Sequence, residues 1–441
     1  MSTATEKPAP NPEEPEKERP PLPKNVDLNE YHTRSYAELS RMVQDNSLRL
    51  QGGRAKHDLI FELMFFYSRN DVPITATGLL ELTRDGFGFL RWPALSFRPA
   101  ADDVYMAVNV VREHALRCGQ EVKARVAISP KKRNVLSVME VLEIEGVVIE
   151  KYQPAPAFEK LTPLFPKDRI ILENAELAST STRIVDLVAP LGKGQRGLIV
   201  APPRGGKTIL LKEIAKAIVL NHPEVELLVV LLDERPEEVT DFEETVDGNV
   251  LASTFDESPK RHAQVAELVI ERAKRLVEQG QDVVILLDSL TRLSRGYNNM
   301  FGSKGGIMSG GLSQKALQQA RSFFGAARNV EEGGSLTILA TALIETEARM
   351  DDIIFEEFKG TGNMEVHLDR ELAERRIYPA IHMVKSGTRK DDILYHPEEF
   401  KKIGLIRRQL AILPVEDAIQ KLIDAIGNTK SNAELVLKGL Q

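Results

Sequence analysis

Apolar residues recur at helical spacing in two early segments, Tyr36–Val43 and Lys56–Tyr67, with Gly52-Gly53 between them. They predict a small helical cap over residues 31–73, too small to bury a core of its own. From residue 74 the period shortens to alternation: Gly78-Leu-Leu-Glu-Leu82, Gly86-Phe-Gly-Phe-Leu-Arg91, Asp103-Val-Tyr-Met-Ala-Val108, Glu121–Ile128 and Asn134–Val141. About five short strands punctuated by Gly, Asp and Pro predict a compact β-barrel over 74–150. Prolines 154, 156, 163 and 166 mark 151–175 as an extended connector.

After Asp186 the rhythm changes again. Continuous apolar runs at Gly197–Ala201, Leu227–Leu232, Val250–Thr254 and Asp282–Leu287 alternate with helical segments at Leu210–Val219 and Lys260–Gln279. That order predicts an α/β domain over 176–441, its mostly parallel sheet covered on both faces. Residues 1–30 carry seven prolines and almost nothing apolar, so they are expected to form a disordered, solvated tail.

Composition adds bounds. With 441 residues, two or three domains are expected, and 42% hydrophobic with 28% charged residues is a soluble globular balance. The single cysteine, Cys118, excludes an internal disulfide. No signal-peptide pattern and no membrane-length apolar run is visible, so a cytoplasmic protein without a membrane partner is expected. The net charge of -7 argues mildly against nucleic-acid binding, although an acidic exterior with a basic channel fits it equally.

The candidate chemistry begins at Ala201-Pro-Pro-Arg-Gly-Gly-Lys-Thr208, between a strand and a helix, as a P-loop requires. Gly205 and Gly206 let backbone N–H groups approach phosphate, and the following helix points its positive end at the same anions. Pro203, Arg204 and Ile209 flank that cradle. Lys207 is placed to reach the β- and γ-phosphates of ATP, and the Thr208 hydroxyl to ligate Mg²⁺. Asp288 ends an apolar strand and is the second candidate Mg²⁺ residue. Asp233 and Glu234 end another; alternation turns only one of them to the nucleotide, and Glu234 is the candidate catalytic carboxylate, with a charged turn as the alternative. Arg389, in Ser386-Gly-Thr-Arg-Lys390, is the candidate arginine finger, which spacing alone does not separate from a surface arginine.

Phe87 and Phe89 stand two apart on one strand face with Arg91 beside them, an arrangement for stacking single-stranded bases or, alternatively, for filling a barrel core. Lys131-Lys-Arg133 offers a phosphate contact or a solvated hairpin tip. Five glycines within Gly302–Gly311 form a loop that either grips a substrate or lies idle at the surface, and the segments Glu345–Arg349 and Lys359–Asn363 pose the same choice.

These segments, with Arg196–Pro203, Leu232–Val239, Phe323–Gly334 and Phe358–Glu365, make the chain resemble the bacterial Rho transcription terminators from about Tyr36 to near the C-terminus. The resemblance implies a RecA-like P-loop ATPase domain preceded by a helical cap and an OB-fold barrel. It also implies a homohexamer that hydrolyses ATP with Mg²⁺, travels 5′ to 3′ on single-stranded, pyrimidine-rich RNA as a helicase, and acts on RNA polymerase and its elongation factors. In that family pattern Ala201 is ordinary, Lys207, Glu234 and Arg389 serve catalysis, Thr208 and Asp288 the metal, and Tyr378 the adenine. Phe87, Phe89, Arg91 and Tyr105 would form a primary RNA cleft, and Lys304, Arg349 and Lys359 would serve a central channel. Gly306 stands where the family often has lysine, and no aromatic is present near Asn134-Val135. A ring ATPase of the rotary or secretion type, and a passive RNA-binding protein with a degenerate nucleotide site, are the competing readings.

Overall fold

The protein is described here by a computed structural model covering residues 20–48, 55–128, 135–302, 306 and 309–440. Three helices, Leu28–Thr33, Tyr36–Asp45 and Lys56–Arg69, form the cap. Ser35 starts the second through a capping box: Glu38 N donates to Ser35 Oγ at 3.3 Å and Ser35 N to Glu38 Oε2 at 2.8 Å. Residues 26–30, counted with the expected tail, are structured. Val26–Asp27 pairs in parallel with Ile74–Thr75, and the first helix begins at Leu28. The prolines end at Pro23, and Val26, Leu28 and Tyr31 behind them are buried; residues 1–19 lie outside the described residues.

Strands Ile74–Leu82, Gly88–Arg91, Val104–Met106, Leu136–Ile144 and Glu121–Ile128 pair in that order, and the last returns to pair with the first. The barrel is therefore closed, with helix Val108–Glu113 between its third and fourth strands in chain order, the arrangement of an OB-fold. Cap and barrel share one core in which Leu59, Leu63 and Tyr67 meet Leu80, Leu90 and Val122. The cap needs the barrel to bury its apolar face.

The connector is not free-standing. Pro163–Leu164 pairs with Arg328–Val330, Arg169–Ile170 pairs with Leu191–Gly192, and Phe158 is buried against the α/β core. The prolines keep it extended while intervening apolar residues fasten it down.

In the α/β domain six parallel strands and an antiparallel edge run in the order Asn249–Thr254, Glu226–Glu234, Asp282–Asp288, Ser335–Leu343, Arg196–Ala201, Met364–His367, Gly387–Thr388. Leu227, Val229 and Leu231 enter one apolar layer and Leu228, Val230 and Leu232 the other, which is why that run is apolar throughout. Helix Lys207–Asn221 covers the first layer and helix Pro259–Glu278 the second. Parallel strands end along one edge, so the segments after Ala201, Glu234 and Asp288 collect at a single place.

The barrel docks on helix Pro259–Glu278. Arg117 donates to both carboxylate oxygens of Glu278 at 2.9 and 2.6 Å, and Arg261 Nη1 donates to the Phe97 carbonyl at 3.0 Å. Gly119, at φ +81°, comes so close that a Cβ there would sit 2.4 Å from the Glu271 carbonyl carbon.

Candidate functional site

The strand Arg196–Ala201 delivers the chain to the loop 202–206, and Gly206 turns it into helix Lys207–Asn221 at φ +89°, a conformation suited to glycine. Lys207 opens the helix and aims its ammonium at the neighbouring strand ends. Its Nζ donates to Glu234 Oε1 at 2.9 Å and to Asp288 Oδ1 at 2.6 Å. Burial works against the Lys207 charge, but Asp288 and Glu234 outweigh it and raise its pKa. Burial, followed by the charge of Asp288, pushes the Glu234 carboxyl above its ordinary value against the pull of Lys207 and Arg292. A carboxylate raised in this way is a better proton acceptor.

Asp288 Oδ1 also accepts from Thr341 Oγ1 at 2.8 Å, whereas its buried Oδ2 has no hydrogen-bond partner among the described residues. An orphaned carboxylate oxygen beside the start of the P-loop helix fits a divalent cation, with Thr208 in that first turn as the other protein ligand. Thr341 is the residue that reading the sequence missed; its signal was a polar side chain inside the buried strand Ser335–Leu343.

The choice between Asp233 and Glu234 resolves by a break in the strand. Asp233 takes φ +57° at a register shift between Leu232 and Glu234. Its carboxylate turns to Arg292 Nη1 at 2.6 Å while Glu234 faces Lys207. Pro203, Arg204 and Tyr378 line a cavity of about 540 Å³ with Arg370, Glu345 and Glu347. Tyr378, 46% exposed, presents its ring 3.8 Å from where a Gly206 Cβ would stand. Ile209 points outward, 64% exposed. Arg389 is exposed and stands elsewhere: its N–H bonds to the Asn363 carbonyl at 2.8 Å, near the beginning of the P-loop strand rather than its end.

On the barrel, Phe87, Phe89 and Tyr105 converge, with ring centroids 5.9, 5.5 and 5.9 Å apart pairwise. All three are partly exposed, so they form a platform at the surface instead of core. Gly88 is held close to the neighbouring strand: a Cβ there would lie 2.6 Å from Leu80 Cδ1 and 2.7 Å from the Glu81 carbonyl oxygen. Arg91, expected beside the rings, is 7% exposed. Its Nε donates to Glu81 Oε2 at 2.6 Å, its Nη1 bonds to Asp103, and its guanidinium carbon lies 5.0 Å from the Phe89 ring centre. Glu81 comes from the neighbouring strand and Asp103 from the segment that leads into strand Val104–Met106, and Arg91 packs against the platform at the Phe89 ring. The Lys131–Arg133 run and Lys304 lie outside the described residues.

Arg349 and Lys359 occupy opposite ends of helix Arg349–Lys359, about 15 Å apart at 1.5 Å per residue. The glycine-rich turn Ser309–Gly311 packs on that helix. Behind it, Arg295 clamps Asp351 with bonds of 2.8 and 2.6 Å, tying the helix that follows Asp288 to the one that carries Arg349.

A phosphate-cradling loop on a RecA-like parallel sheet, joined to an OB-fold with an aromatic face, defines a P-loop ATPase carrying a nucleic-acid-binding domain. Residues 181–388 match the ATP synthase alpha/beta family, nucleotide-binding domain, and residues 76–150 match the Rho termination factor, RNA-binding domain. The chain belongs to the transcription termination factor Rho family: it is 54% identical to transcription termination factor Rho of Akkermansia muciniphila, over 100% of this chain and 94% of that one. The Rho proteins of Cereibacter sphaeroides and Pseudomonas aeruginosa are each 46% identical over 93% of this chain and 97% and 98% of theirs. Among solved structures, a prototypical ATPase from a type III secretion system superposes with a TM-score of 0.53 at 20% identity, covering 64% of this chain and 86% of that one. That likeness is one of fold alone.

Proposed function

We propose that the chain is an RNA-dependent ATPase that works as a homohexameric ring with Mg²⁺, draws single-stranded RNA 5′ to 3′ through its centre, and ends transcription by acting on RNA polymerase. Helicase action on RNA/DNA duplexes and a cytoplasmic setting go with that reading. No helix among the described residues is long and apolar enough to cross a membrane. The observation that carries the proposal is Lys207 held between Glu234 and Asp288 at a P-loop, in a chain whose barrel presents Phe87, Phe89 and Tyr105.

Lys207 must leave at least one carboxylate to engage the phosphates of ATP, and that release frees Glu234 to accept a proton from the attacking water. Thr208 and Asp288 would hold Mg²⁺, which would supply positive charge to offset that of the phosphates. Tyr378 offers a face for the adenine, with Pro203 and Arg204 along the same cavity. Arg349, Lys359 and the Gly302–Gly311 loop, including Lys304, are the RNA contacts proposed for the ring's centre; the Arg295–Asp351 clamp connects them to the nucleotide site. The deciding measurement is steady-state ATP hydrolysis with and without pyrimidine-rich RNA. Strong stimulation is expected, while a rate indifferent to RNA would favour a rotary- or secretion-type ATPase and overturn the proposal.

A further inference from the structure

Away from both sites, three side chains assemble the donors of a transition-metal centre. Asp102, on the barrel segment leading into strand Val104–Met106, is fully buried at 0% exposure. Two imidazoles reach it from different helices of the cap. His32 Nε2 lies 2.6 Å from Asp102 Oδ2, and His57 Nδ1 lies 3.0 Å from Oδ1 and 3.2 Å from Oδ2. One donor atom from each residue falls within 4.8 Å of the others, and no other group among the described residues does so.

The arrangement answers a problem of charge. A buried carboxylate requires a compensating cation, and among the described residues the two imidazoles, with no lysine or arginine, are the ion-pair partners of Asp102, so the charge is supplied either by protons on those rings or by a metal ion between them. The nearby cations are engaged elsewhere: Arg91 with Glu81 and Asp103, and Lys56 Nζ with the His32 carbonyl at 2.6 Å. The donor set is suited to zinc. Tetrahedral Zn²⁺, with bonds of about 2.0–2.2 Å to nitrogen and oxygen, holds its ligand atoms about 3.3 Å apart. His57 Nδ1 already stands 3.2 Å from Oδ2, His32 would withdraw by about 0.7 Å from the same oxygen to reach that spacing, and the two ring nitrogens, within 4.8 Å of each other, would have to meet it too. Trp92 meets the His32 ring edge-on, with centroids 4.8 Å apart, and limits its rotation. The His57 side chain is 22% exposed, leaving a side from which water can complete the shell. Two imidazoles and one carboxylate favour Zn²⁺ over the hard, oxygen-seeking Mg²⁺ expected at Asp288.

We propose that His32, His57 and Asp102 form a Zn²⁺ site that fastens the helical cap to the RNA-binding barrel. The metal joins residues 45 and 70 apart in sequence. It also braces Asp102 beside Asp103, the residue that holds Arg91 against the Phe89 ring. The site would stiffen the floor of the RNA cleft without touching RNA.

The test uses the full chain, stripped with chelator, re-equilibrated with Zn²⁺, desalted, and assayed for metal content. The wild type is expected to retain one more equivalent of Zn²⁺ per chain than His57→Gln or His32→Gln, and Zn²⁺ should raise its melting temperature but not theirs. Loading the wild type with Co²⁺ should give visible absorption of tetrahedral character, a readout that stands even where a variant folds poorly. Equal zinc content in wild type and variants, or a wild type that takes up neither metal, would overturn the proposal and leave the cluster a proton-sharing hydrogen-bond network.

Discussion

At the scale of single residues the site depends on one ammonium shared between two carboxylates. Replacing Lys207 with Ala removes the group that must transfer to phosphate and leaves Glu234 and Asp288 facing each other without their shared cation. ATP turnover is expected to fall by at least about 10²-fold, the size of effect of losing one preorganised charge-stabilising donor. Filter binding should show RNA affinity at the barrel largely unchanged, because Phe87, Phe89 and Tyr105 lie on a separate domain; loss of both activities together would contradict that separation. Conversely, Phe87→Ala or Phe89→Ala should weaken RNA capture by about 1–3 kcal/mol per lost stack while leaving basal hydrolysis intact. The P-loop was legible because its glycines, lysine and threonine are consecutive and their flanking strand and helix are strongly patterned. Strand alternation said that one of Asp233 and Glu234 would face the P-loop; that it is Glu234 which meets Lys207 follows from the bulge at Asp233, which the sequence did not show. The burial of Arg91 was invisible from its neighbours along the chain, since Glu81 and Asp103 reach it only once three strands have paired.

At the scale of elements, the connector shows how a weak local pattern is fixed by distant polar anchors. Asp186, buried in helix Thr180–Val188, accepts the backbone N–H groups of Leu172 and Glu173 on Oδ2 at 3.0 and 2.7 Å. Burial pushes its carboxyl up to about 7, with Arg169 opposing. A carboxyl whose folded pKa exceeds its ordinary 3.8 binds the proton more tightly when folded, so its contribution is complete below that value and is lost as pH rises toward 7. Asp186→Asn keeps an oxygen for both N–H groups and has no proton to lose. Thermal melts between pH 5 and 8 should therefore show the variant gaining on the wild type with rising pH, by up to about 1.4 kcal/mol per unit, and levelling off above 7. Parallel curves would mean that Asp186 ionises alike in both states. Proline spacing marked this segment as extended; its attachment could not be read there, because the two strands it pairs with begin at Leu191 and Arg328.

At the scale of the whole molecule, the position of Arg389 tests whether the active unit is a ring. Thr388 pairs with Met364, and Met364 with Gly197, so Arg389 lies beside the start of the strand whose far end delivers Lys207. Ala201 is four steps along the strand from Gly197, about 13 Å at 3.3 Å per residue, before the P-loop even begins. Arg389 of one chain thus lies far from its own nucleotide site and is exposed, as the proposed head-to-tail ring requires of a residue that serves a neighbour. Charge reversal, Arg389→Glu, should leave assembly intact and lower turnover by about 10³-fold or more, as loss of an arginine finger does. Complementation is the sharper test. An Arg389→Glu subunit keeps an intact Lys207 site, and a Lys207→Ala subunit keeps an intact Arg389. Each alone is expected to be nearly inactive, but when they are mixed, unfolded and reassembled, some boundaries join a good P-loop to a good arginine, and RNA-stimulated hydrolysis should reappear. If Arg389 acted within its own chain, no site in the mixture would be complete and the activity would stay at the sum of the two inactive parents; an Arg389→Glu protein that hydrolysed ATP normally by itself would remove Arg389 from the reaction.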